Sequence, residues 1–181
     1  MAKPDDVVGF WFADGMAERW FAPDPDFDRL VRQRLLTHHE HAAKGVYDVW
    51  MQTPRGCLAL CILLDQVPRN VFRGTARAFA TDAKALAVAR HALEHGLDRG
   101  LSQPERMFLY LPFEHSENLT DQEVCCTLIA LLDEDPLWHE DAVQHRDIIA
   151  RFGRFPYRNV MLGRESTVEE AEFLKKPHSS F

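Results

Sequence analysis

Residues 53–74 read TPRGCLALCILLDQVPRNVFRG. Thr53 is a good N-cap and Pro54 suits the first turn of a helix. The apolar run that follows, CLALCILL at 57–64, shows no alternation of apolar and polar residues, so it reads as a buried helix rather than a strand. Pro68 is expected to end or kink that helix. Two features disturb a plain core helix. Asp65 extends the stripe of Leu58, Cys61 and Ile62 by 3-4 spacing, which puts a carboxylate on the buried face. PRNVFRG at 68–74 is also echoed by PYRNVMLG at 156–163, too far off for a short-period repeat array, which suggests two similar helix ends.

Outward from this stretch the text stays helical. Pro4 and Asp5 open a short helix to about residue 13, and GMAERWFAPDP reads as a loop with two aromatics folded back on the core. A long helix is expected from about Asp24 to Lys44, with Phe27, Leu30, Val31 and Leu35 in 3-4 spacing and Gly45 as its stop. Thr81-Asp82 starts another, which Gly96 ends. Ser102–Glu105, Thr120–Glu123 and Ser166–Glu169 have the capping-box pattern before apolar text. Pro112 should bend the segment it interrupts. Asp135-Pro136 starts a helix to about Phe152. No segment shows strand alternation. The expected fold is therefore all-α: seven to nine helices in antiparallel pairs with short loops, one domain over 1–181, and a frayed tail at 176–181.

Composition narrows the function classes. The 181 residues are 46% hydrophobic and 27% charged, enough for a sizeable core. A net charge of −7 argues against nucleic acid or an anionic membrane as partner. The start, MAKPDDVVGF, does not look like a secretory signal, and no apolar run approaches the roughly 20 residues that span a bilayer. Cys57, Cys61, Cys125 and Cys126 lie in apolar helical text without a Cys-x-x-Cys pattern, as expected for buried thiols in a reducing cytoplasm.

Three helices place an ionisable group where burial is expected: Asp65; Glu114 and His115, after Met107, Phe108 and Leu111; and His145, within Trp138, Ala142, Ile149 and Phe152. A buried unpaired charge costs several kcal/mol, so each needs a partner. The segment 145–159 supplies cations, Arg146, Arg151, Arg154 and Arg158, against one local acid, Asp147. Asp65, Glu114 and Glu117 are their expected acceptors, since arginine binds carboxylates bidentately. Surplus arginines would attract an external anion, and at least one of Arg154 and Arg158 is expected to line a cavity with Glu114 or His115.

Three readings stay open. The leading one is a binding pocket for a small anion or a partner's carboxylate, using Asp65, Arg69, Glu114, His115, Glu117, His145, Arg146, Arg154, Arg158 and Asn159. It assigns no metal ligand and no cofactor. The second is an acid–base or metal-assisted enzyme, with Glu114 or His115 as base or ligand and His145 as second ligand or acid. The third is a protein-interaction module whose polar network only fixes packing. His38 and His41 in THHEH have helical spacing but lie on a polar face. The tryptophans read as core and loop anchors. No nucleophile elbow or phosphate-cradling glycine loop appears. The oligomeric state is not legible.

The blocks LLDQVPRNVFRGTARAFATDAKAL, FLYLPFEHSENLTDQE and HRDIIARFGRFPYRNVMLGRESTVEE resemble the bacterial family DUF924, and the N-terminal FWF is similar in kind. Together the blocks reach from about 60 to 172. The resemblance implies a helical fold related to tetratricopeptide-repeat-like proteins and brings no established activity. Tyr157 stands where many relatives are expected to carry histidine, so no imidazole role is assigned there.

Overall fold

The computed structural model describes residues 2–132, 135–177 and 179. Those residues are all-helical, with no strand among them. The helices are α1 (Pro4–Trp11), α2 (Pro25–Ala43), α3 (Pro54–Cys61), α4 (Val67–Val71), α5 (Asp82–Glu94), α6 (Gln103–Glu114), α7 (Leu119–Ile129), α8 (Pro136–Phe152) and α9 (Val168–Phe173). Short 3-10 turns join several of them.

Helix α3 is the axis of the bundle. Every residue from Gly56 to Pro68 is buried, as for a helix apolar on all sides. Helices α1, α5 and α6 pack around α3, and α6, α7 and α8 stack on one another. A β-carbon at Gly56 would lie 1.9 Å from the Trp50 carbonyl oxygen, so only glycine lets the preceding turn approach so closely. Trp11, Phe27 and Phe108 meet in the core, with centroids 5.8 and 5.7 Å from Trp11.

Pro68 does not end the helix. Residues Ile62–Gln66 form one π turn, with the Val67 N–H bonded to the Ile62 carbonyl, and the chain runs on as α4. The proline lacks the N–H that would reach the Leu64 carbonyl in α-register or the Leu63 carbonyl in π-register. Side chains fill both places. His39 Nδ1–H donates to Leu63 O at 2.8 Å, and Thr81 Oγ1–H donates to Leu64 O at 2.5 Å. Arg69 Nη1 covers Asp65 O at 2.7 Å. The extra residue of the π turn sets the direction of Asp65.

Other boundaries differ in detail from the sequence reading. Asn118, not Thr120, caps α7 through the Thr120 and Asp121 N–H groups, because its side chain reaches them first. The third capping box is Thr167 with Glu170, one residue later than expected. Helix α6 runs through Pro112 to Glu114. The two Arg-Asn-Val segments are not equivalent: 69–71 end a helix, whereas Pro156–Arg158 form a 3-10 turn after Gly153, whose φ of 68° closes α8. Within the tail expected to fray, Ser179 is buried and its hydroxyl donates to Leu174 O. His178, Ser180 and Phe181 lie outside the described residues.

Candidate functional site

The π turn, the end of α6 and the middle of α8 converge on one cavity of about 440 Å³. Asp65 is 1% exposed and ties the π turn to the end of α6. Its carboxylate accepts from His115 Nδ1 at 2.9 Å and from Gln66 Nε2 at 2.7 Å, and Arg69 Nη1 lies 3.1 Å away. Burial alone would favour the neutral acid. The adjacent Arg69 guanidinium and His115 outweigh it and hold the carboxyl well below its usual range. Arg69 also binds Asp82 bidentately, at 2.9 and 3.0 Å. Arg158 reaches the same Asp82 at 3.3 Å, its guanidinium over Phe79 and Phe155 at 4.6 and 4.5 Å. This answers for Asp65: its cation is Arg69, one turn away.

Glu114 is different. It is buried, yet among the described residues no arginine or lysine pairs with it. His145 Nδ1 lies 3.6 Å from its Oε1, and the Cys125 thiol donates weakly to its Oε2 at 3.8 Å. Burial, with the nearby Asp141 and Asp65 carboxylates, raises its pKa to about 8. Two imidazoles flank it. His145 Nδ1 makes a 2.8 Å bond to Asp141 O. A carbonyl can only accept, so that nitrogen carries the proton and the lone pair sits on Nε2. His115 Nδ1 likewise donates to the ionised Asp65, leaving its own Nε2 lone pair. Burial lowers both histidines, His145 to about 3; at His115 the Arg69 charge adds to the effect while Asp65 and Asp82 oppose it.

Glu114, His115 and His145 each offer one ligand atom, and the three atoms lie within 4.8 Å of one another. Two imidazoles and a carboxylate are the donor set of many zinc and non-haem iron centres. About 3.4 Å separates the vertices of a tetrahedron with bonds near 2.1 Å, so small side-chain rotations would close the set on one ion. The bonds of His115 Nδ1 to Asp65 and of His145 Nδ1 to Asp141 O fix the orientation of both rings, as hydrogen-bond partners of histidine ligands commonly do.

The remaining expected site residues fall elsewhere. Arg146 pairs with Asp147, and Arg151 with Glu169, both in the open. Arg154 binds Glu170 at 2.6 and 2.8 Å. Glu117 takes Arg164 bidentately and the Phe155 N–H, and so pins the turn after α8. Asn159 is buried between Ser166, Glu170 and Arg164. Neither Arg154 nor Arg158 lines the cavity; Arg69 and Arg73 do. Acids outside 145–159 decided this. Glu169 and Glu170 on α9, and Asp82 on α5, lie close in space and far in sequence. Asp82, Asp141 and Gln66 were not singled out from sequence. Asp82 carried a signal only as an acid at a helix start, and the carbonyl of Asp141 carried none. Trp20 and Trp138 pack against the core, as expected, and also line the cavity. His38 and His41 both hold the Tyr47 hydroxyl through Nδ1, at 3.0 and 3.1 Å, and among the described residues they belong to no metal-ligand cluster.

The fold and site define an all-helical bundle with a buried carboxylate between two oriented imidazoles at the floor of a cavity. The chain belongs to the family described as "Bacterial protein of unknown function (DUF924)", which matches residues 7–178. It is similar to the solved structure of a protein of unknown function from Agrobacterium tumefaciens, at 42% identity and a TM-score of 0.90, over 95% of this chain and 96% of that one. No curated protein matches it.

Proposed function

We propose that the chain binds one divalent transition-metal ion through Glu114, His115 and His145 and uses it as a Lewis acid toward a small molecule in the cavity. The observation that carries this is the triad itself: three ligand atoms, one from each residue, within 4.8 Å of one another. Three protein ligands leave a coordination position open, the mark of a catalytic rather than a structural ion. A bound ion would also supply the positive charge that the buried Glu114 otherwise lacks.

The anion-binding reading has less support. Arg146, Arg151, Arg154 and Arg158 each meet an internal carboxylate, as does Arg69. That arginine network serves packing: Asp65, Arg69, Asp82 and Arg158 bind the π turn, α5 and the turn after α8 into one unit. Four free, buried cysteines favour a cytoplasmic setting. A tetratricopeptide-repeat-like stacking of helix pairs would present the cavity on a concave side.

The test is metal uptake. Protein stripped with a chelator is dialysed separately against zinc, cobalt, manganese and ferrous iron, and bound metal is weighed by native mass spectrometry. One ion per chain is expected, with at least tenfold weaker binding for His145→Gln. If the wild type retains none of the four metals, the proposal is wrong.

A further inference from the structure

From the end of the π turn, through α4 and just past its end, Gln66, Asn70 and Arg73 line the cavity at the i, i+4, i+7 spacing of a helix face. The row runs from buried to open. Gln66 and Asn70 are 5% and 7% exposed, whereas the Arg73 side chain is 51% exposed. The two amides are fixed the same way round. Gln66 Nε2 donates to Asp65 at 2.7 Å, and Asn70 Nδ2 donates to Asp28 at 2.8 Å. A carboxylate can only accept, so each nitrogen is committed and each carbonyl oxygen is the free end. Neither Gln66 Oε1 nor Asn70 Oδ1 meets a donor among the described residues, and neither is sealed off from the cavity. Amide oxygens in a nearly buried wall are costly to leave without a donor, and a ligand can supply one.

Arg73 adds the opposite polarity. Its Nε and Nη2 each hold Asp28 at 2.9 Å, which leaves Nη1 without a partner among the described residues. Hydrogen-bond character then sorts the ligand classes. Phosphates and carboxylates bring no hydrogen for the two oxygens, and an ammonium group brings no acceptor for Arg73. A hydroxyl both donates and accepts. Gln66 and Asn70 stand four residues apart, about 6 Å along a helix. A single carboxamide reaches one of them, whereas several hydroxyls on one carbon frame reach both. Trp20, Phe21 and Trp138 line the same cavity and offer apolar faces to such a frame.

We infer that the cavity takes a neutral polyhydroxy compound, of the sugar or cyclic polyol class, with its hydroxyls on Gln66, Asn70 and Arg73. Calling that compound a substrate rests on the metal reading: Gln66 holds Asp65, and Asp65 holds His115 of the triad. The hydrogen bonds themselves need no ion.

Phenyl xyloside, its hydroxyl-free analogue tetrahydropyranyl phenyl ether, and phenyl phosphate are titrated calorimetrically into zinc-loaded and chelator-treated protein, with metal content weighed in parallel. Two hydrogen bonds to otherwise unpaired acceptors should make the xyloside bind about tenfold tighter than the ether in both forms. On the chelator-treated protein, phenyl phosphate should bind more weakly than the xyloside. Gln66→Met, close to glutamine in shape, should cut the xyloside-to-ether ratio severalfold. Arg73→Met, at a half-exposed position, should do the same and leave the affinity for the ether unchanged. A ratio below threefold on the wild type, or tighter phenyl phosphate on the chelator-treated protein, overturns the polyol class whatever the metal content. A ratio unchanged in both variants overturns its assignment to this wall. A tenfold ratio on protein that takes up no metal leaves the polyol site standing and removes the metal reading.

Discussion

Replacing Asp65 with alanine should be among the most damaging single changes outside the apolar core. The carboxylate is 1% exposed and meets Arg69, His115 and Gln66. Breaking a buried ion pair from one side costs roughly 3–5 kcal/mol, because the partner charge is stranded. Here the stranding is partial, since Arg69 keeps two bonds to Asp82 and one to the Asp65 carbonyl. That pulls the cost toward the lower end. Against it, His115 Nδ1 and Gln66 Nε2 lose their acceptor, and an unsatisfied buried donor costs roughly 1–3 kcal/mol. The two effects share atoms and do not add, so the expected loss is about 3–4 kcal/mol. For a chain of this size that lowers the melting temperature by roughly 10 °C. The assay is urea denaturation followed by circular dichroism, with chelator present so that only the protein's own network is measured. The urea dependence should keep its slope. A loss below about 1 kcal/mol would mean that Asp65 contributes little to the packing of the π turn, and the network argument would fail.

Thr81→Val removes the side-chain donor to Leu64 O, beneath a proline that offers no N–H, and should cost about 1–3 kcal/mol by the same assay; an unchanged midpoint would show that the π turn does not depend on this cap. Gly56→Ala forces a β-carbon into the Trp50 carbonyl and should destabilise by roughly 2–4 kcal/mol, with a stability equal to wild type as the refuting result. Glu170 gives a pH dependence. Its hydrogen bonds to Arg154 hold its pKa down at about 2, against an unfolded value near 4.5, so its contribution is present above about pH 4.5 and is lost as pH falls toward 2. Stability measured at stepped pH between 5 and 3 should therefore fall less steeply in Glu170→Gln than in wild type, by up to one proton; identical slopes would refute the pairing.

The helical class was legible in the sequence for a local reason. N-caps, capping boxes, 3-4 spacing and glycine stops act within a few residues, and Pro25–Ala43, Asp82–Glu94 and Pro136–Phe152 begin and end close to where those signals stand. The burial of Asp65, Glu114 and His145 was legible too, because a helix face can be projected from spacing alone. The partners were not. Arg154 reaches Glu170, Arg158 reaches Asp82 and Glu117 reaches Arg164, across separations that no local rule spans. Proline 68 could be read as a breaker, but whether its missing hydrogen bond is fatal depended on His39 and Thr81 arriving from α2 and from the start of α5. The triad is the same case. Glu114 and His115 are neighbours in the chain, but only the packing of α6 against α8 brings His145 to them, and only the carbonyl of Asp141 and the carboxylate of Asp65 fix how the two rings are turned. Caps and periodicity are short-range preferences that act on the chain itself. Ion-pair choice, tautomer and ligand geometry belong to side chains brought within a few ångströms by the tertiary fold.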